Sequence, residues 1–94
     1  MGRMSGFCVP RRVAFVIPGD SDAPEVFLMQ LPDGPPVVLH GASAVIWVLA
    51  ADGEEDVVAE VGRTMGVARD MLEGDVTTHL RDLVDRGWLL ARSD

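Results

Sequence analysis

The chain contains no lysine, no tyrosine and no asparagine, and a single cysteine, Cys8. Missing lysine, tyrosine and asparagine point to GC-biased coding rather than to a demand of the fold. One cysteine excludes an intramolecular disulfide and a cysteine-rich zinc site, and removes any argument for an oxidising compartment, so a cytoplasmic protein is expected. Positive charge is also scarce. Eight basic residues, all arginine, stand against fifteen Asp and Glu and leave a net charge of −7, a field that opposes phosphate backbones and anionic lipid. Neither nucleic acid nor membrane is an expected partner. Apolar runs such as residues 42–51 are too short to cross a bilayer, and no charged start leading into an apolar export segment is found at the N-terminus.

What is present is enough for one core. Ninety-four residues, 48% hydrophobic and 24% charged, predict one globular domain over 1–94, burying about 60–65% of the surface its unfolded form exposes. Residues 12–17 alternate as a strand, with Val13, Phe15 and Ile17 on one face and Ala14 and Val16 on the other. A polar connector over 19–24 leads to a second strand over 25–31, where Phe27, Met29 and Leu31 alternate with Val26, Leu28 and Gln30. Both faces of that strand are largely apolar, so one meets helices and the other is open to a partner or to a packed N-terminal arm. Pro32, Asp33, Gly34 and Pro35 make a tight turn. Val37, Val38 and Leu39 follow as a third strand, placed at an edge because the prolines before it cannot donate to a ladder. Residues 1–10 are expected to form a flexible or loosely packed arm.

After His40 the apolar period changes from two to about 3.6. A first helix starts at Gly41 or Ser43, runs to Gly53 and carries Ala42, Val45, Ile46 and Leu49 on one stripe. A second spans 54–65, with Glu54, Glu55 and Asp56 in its first turn and Val57, Val58, Val61 and Met65 buried. The third has capping-box spacing in Asp70 and Glu73, then Leu72, Val76, Leu80, Leu83 and Gly87 at intervals of three and four. Residues 87–91, Gly-Trp-Leu-Leu-Ala, read as a short terminal strand or a tail folded back on the core. Three strands followed by three helices is an α+β arrangement.

Little here suggests catalysis. Cys8 with His40 or His79 lacks any orienting signature, and there is no phosphate-binding glycine loop and no metal-ligand spacing. No catalytic residue, metal or cofactor is assigned, and the chain is not expected to be an enzyme.

The stretches VVLHGASAVIWVL, ADGEEDVVAEV and DVTTHLRDLVDRGWL together resemble PqqD-like proteins, the RiPP recognition elements, over roughly residues 15–90. His40 stands where relatives often carry Asn. The resemblance implies a winged helix-turn-helix-like fold, with a three-stranded antiparallel meander before the three helices. It also implies non-catalytic binding of the leader segment of a ribosomally made precursor peptide. At this length the chain is similar to the free-standing leader-binding proteins of lasso-peptide pathways, whose partners would be a leader peptidase and a cyclase.

In such domains the leader adds a strand between the third strand and the third helix, a mode in which an unfinished sheet edge supplies hydrogen bonds and pockets supply selectivity. Carried onto this sequence, the peptide-binding residues are Val37, Val38 and Leu39 through their backbones, with His40 at the end of the groove. On the facing helix Val76, Leu80 and Leu83 form an apolar floor, with core packing as their first role, and Asp75, His79 and Asp82 a polar rim. The rival reading is a winged-helix DNA-binding regulator. Its third helix would carry Asp70, Glu73, Asp75, Asp82 and Asp85 against Arg81 and Arg86, a balance of −3 that repels a duplex.

Overall fold

The period-two stretches do pair with one another. The computed structural model describes residues 6–18, 24–54 and 56–91. Its elements are β1 (Phe7–Cys8), β2 (Val13–Val16), β3 (Glu25–Gln30), β4 (Val37–His40), α1 (Ala42–Ala51), α2 (Val57–Met65), α3 (Arg69–Asp85) and β5 (Leu90–Ala91). Strands β2, β3 and β4 form an antiparallel sheet in that order, with β3 in the middle, so the α+β class read from the sequence is the class observed. Alternation along β3 sends Val26 and Leu28 into the core, while Phe27 stays exposed on the outer face. Burial of each such aliphatic side chain contributes about 1.5–3 kcal/mol.

Strand β4 runs into α1 without a loop. Gly41 donates its N–H to Pro24 O at 3.0 Å, extending the β3–β4 ladder, and its own carbonyl accepts from Val45 N at 3.1 Å, opening the helix. One residue thus closes the sheet and starts the helix. Its φ of 59° and ψ of −130° lie where only glycine is at ease. Ser43 is not a cap, because the N-cap is Gly41 and no side chain serves there.

The buried residues of α1 are Ala44, Ile46, Trp47 and Ala50 rather than the expected stripe of Ala42, Val45, Ile46 and Leu49. A helix apolar on almost every side has no single stripe for its sequence to announce, and packing chooses the inward face. Trp47 is fully buried, donates Nε1–H to the Trp88 carbonyl at 3.1 Å, and meets Phe15 with ring centroids 5.0 Å apart.

Two helix starts also differ from expectation. Helix α2 begins at Val57, because Asp56 is its N-cap and accepts the Ala59 N–H at 3.1 Å; Glu55 lies outside the described residues. Met65 is exposed rather than buried. Helix α3 begins at Arg69 with Ala68 as N-cap, and no side chain caps it, so the Asp70–Glu73 capping box does not form. Asp70 sits inside the first turn, where an acid still suits the helix dipole.

At the far end of α3 the chain turns through Gly87, φ 87°, where an added Cβ would come 2.6 Å from Gln30 Nε2. Trp88 and Leu89 then fold into the core, and β5 pairs antiparallel with β1 in the register Phe7↔Ala91 and Cys8↔Leu90. Phe7–Cys8 thus pair with the C-terminal strand, and Phe7 and Val9 pack against the core. Residues 1–5 and 19–23 lie outside the described residues. No helix among the described residues is long and apolar enough to cross a membrane.

Candidate functional site

Among the described residues no strand covers the outer side of β4. Its parity decides which groups that leaves free. The register pairs Val26 with Leu39, Phe27 with Val38 and Leu28 with Val37, and the Gly41 to Pro24 bond makes 24/41, 26/39 and 28/37 the hydrogen-bonded pairs of an antiparallel ladder. Val37 and Leu39 therefore spend their N–H and C=O groups on β3. Val38 and His40 turn theirs outward. Side chains divide the opposite way: Val37 and Leu39 are half-buried against the core, whereas Val38 and His40 stand exposed on the outer face. There His40 Nδ1 lies 3.5 Å from Glu25 Oε2 across the strand pair, a solvent-facing contact of little energetic weight.

Two side-chain ties hold α3 and the residues just after it to their neighbours. Near the Val37 end, Gln30 donates Nε2–H to the carbonyls of Arg86 and Gly87, at 3.2 and 3.3 Å. Beyond the His40 end, Ser43 Oγ lies 2.8 Å from His79 Nε2, joining the first turn of α1 to the middle of α3. Ala42 and His79 also line a cavity of about 330 Å³ whose other walls include Ile46, Val61, Leu72 and Val76, with Asp75 and Thr78 on its polar side. Its lining is mainly apolar, and Asp75, Thr78 and His79 are its polar groups.

The positions singled out in the sequence are distributed as follows. Asp75 is exposed and borders the cavity; His79 is half-buried and held by Ser43. Asp82 is exposed and pairs with Arg86 at 3.0 Å, one turn on. Val76, Leu80 and Leu83 all belong to the buried core. Leu80 borders a different cavity, with Phe7, Val84 and Ala91, since it lies about 100° around the helix from His79. Ser43, Gln30, Ala42 and Thr78 went unrecognised. The signal for the first two was a lone polar side chain in an apolar pattern, which in a packed domain requires a partner.

Further from β4, Asp56 accepts two hydrogen bonds from Arg69 Nη1, both at 2.9 Å. The Ala59 N–H first, and the Arg69 guanidinium after it, hold the Asp56 carboxyl below the usual aspartate range, and the pairing raises Arg69 in turn. This pins the start of α2 to the start of α3, and with it the wall of the cavity.

No curated protein matches the chain. Among solved structures, the one described as TbiB1 in complex with the TbiA(beta) leader peptide is similar over 93% of this chain and 99% of that one, with a TM-score of 0.74 and 26% identity. The family model for coenzyme PQQ synthesis protein D (PqqD) matches residues 25–89. Since that span exceeds half the chain and contains β3, β4 and all three helices, the chain belongs to the PqqD family.

Proposed function

We propose that this protein is a non-catalytic recognition element for the leader segment of a ribosomally synthesised precursor peptide, taken up as an added strand on β4 and presented to processing enzymes. The observation that carries the reading is the uncovered edge of β4, with the Val38 and His40 backbone groups directed outward, in a chain whose solved relative TbiB1 holds a leader peptide.

A guest strand there takes its register from Val38 and His40. Its helix-facing side chains meet Val37, Leu39 and His79, and the next one along enters the cavity beside Ala42. Asp75 and Asp82 form the polar rim. Val76, Leu80 and Leu83 serve by holding α3 in place. Within this reading the precursor belongs to a lasso-peptide pathway in the cytoplasm, the partners are its leader peptidase and the cyclase, and the outer apolar face at Phe27, Met29 and Leu31 docks the peptidase.

Titration of a fluorescent leader peptide, its sequence taken from a precursor gene to be located in the genome that encodes this chain, tests the central claim. Saturable binding tighter than about 100 μM, or about −5.5 kcal/mol, is expected. Absence of such binding, or salt-dependent retention on duplex DNA in its place, overturns the proposal. The second outcome would have to overcome five acids against two arginines on α3.

A further inference from the structure

The sheet has a second edge. Leu31 N donates to Arg12 O at 2.7 Å, which makes 12/31, 14/29 and 16/27 the hydrogen-bonded pairs of β2 and β3. Val13, Phe15 and Ile17 consequently turn their backbone groups away from the sheet. The Val13 N–H is used by Pro10 O at 3.1 Å; the Val13 carbonyl and both groups of Phe15 and Ile17 have no backbone partner among the described residues. Their surroundings are apolar, with Phe15 47%, Val16 63% and Ile17 49% exposed. No charge, proline or glycine interrupts residues 13–17, so this edge lacks the devices that ordinarily keep an edge strand solitary.

We propose that β2 pairs antiparallel with β2 of a second copy of this chain, about a two-fold axis beside Phe15. Outward groups at positions 13, 15 and 17 are symmetric about Phe15, so the edge complements itself: Phe15 faces its counterpart, and each Val13 carbonyl accepts from the other copy's Ile17 N–H. Charge selects the same occupant. Arg11 and Arg12 precede β2, while Glu25 borders Pro18 at its other end. Antiparallel pairing brings the arginines of each copy to the acidic end of the other, offsetting the repulsion between two chains of net charge −7. Phe15 already covers Trp47 on one side, and the second copy covers the other. The product is a six-stranded sheet with a β4 edge free at either end.

Sedimentation analysis from about 1 μM to about 500 μM suits an interface this small. The mass is expected to double across that range while the amides of Phe15 and Ile17, and not that of Val38, gain protection from exchange. Phe15→Lys places two ammonium groups at the axis and should hold the protein monomeric. Because Phe15 also touches Trp47, Val16→Lys is a second variant at an exposed position; at least a tenfold weaker dimer is expected with an unchanged unfolding midpoint. A wild-type mass that stays monomeric overturns the proposal, as does a dimer indifferent to Val16→Lys or one that protects Val38. Protection of the β2 amides only when a processing peptidase is added overturns it too.

Discussion

Ser43 Oγ and His79 Nε2 stand 2.8 Å apart, and this contact fastens the first turn of α1, just past β4, to the middle of α3. The pair spans the far end of the candidate groove. Ser43→Ala removes one part-buried hydrogen bond and should cost about 0.5–1.5 kcal/mol in urea unfolding. Leader affinity should fall about two- to tenfold if the contact positions α3, since that is the same energy read as binding. Should His79 act only by touching the guest, Ser43→Ala would leave Kd unchanged while His79→Ala raised it. A double-mutant cycle on the two residues separates these cases.

Proline at adjacent positions of β4 should have opposite consequences. Val38→Pro deletes an outward N–H and leaves the β3–β4 ladder whole, so unfolding should stay cooperative while leader binding weakens by about one hydrogen bond, 0.5–1.5 kcal/mol. Leu39→Pro deletes an N–H that β3 needs, opposite the fully buried Val26. It should lower stability by about 1–3 kcal/mol through the carbonyl left unpaired. Equal effects of the two on leader affinity at full folding would show that the guest docks elsewhere.

Asp56 makes the joint between α2 and α3 sensitive to acid. Its carboxyl is held below the ordinary aspartate value of about 4, first by the Ala59 N–H and then by Arg69. A carboxyl depressed in the folded state stabilises fully above its unfolded pKa, and that contribution disappears as pH falls through the folded value. Melting temperatures of the wild type and Asp56→Ala should therefore differ at neutral pH and converge as pH falls below about 4. A gap independent of pH would mean that the ion pair and cap do not set it.

Gly41→Ala tests the junction itself. Nothing lies within 4 Å of an added Cβ, so crowding is not the issue; the backbone conformation is. Forcing a β-carbon into that region should cost about 1–3 kcal/mol in unfolding free energy. Gly53→Ala, also at positive φ with open space around it, is a comparison that leaves β4 untouched. Only the Gly41 variant should disturb amide shifts along β4.

Much of this architecture was legible along the chain because it repeats. Val26 and Leu28 against Phe27 and Met29 declare a strand with two faces, and Val76, Leu80 and Leu83 declare one side of a helix, since geometry imposes the two periods. Where the pattern was short or saturated, legibility failed. Phe7–Cys8 and Leu90–Ala91 are two-residue strands with no period to detect, and α1 is apolar almost all round. Asp70 and Glu73 had the spacing of a capping box, but the N-cap of α3 is Ala68, two residues before Asp70, and a cap depends on where the first turn closes.

The sequence by itself determined the order of elements, the apolar faces and the acidic surface, because these follow from local sterics, alternation and composition. Only the tertiary structure decided which backbone groups are free. A strand's two sides are equivalent until it has a neighbour, and the Gly41 to Pro24 bond is what turns Val38 and His40 outward and Val37 and Leu39 inward. Tertiary packing likewise brought Ser43 to His79 across 36 residues and pointed Leu80 away from both. Such pairings are set by how whole elements dock, and no window of neighbouring residues contains them.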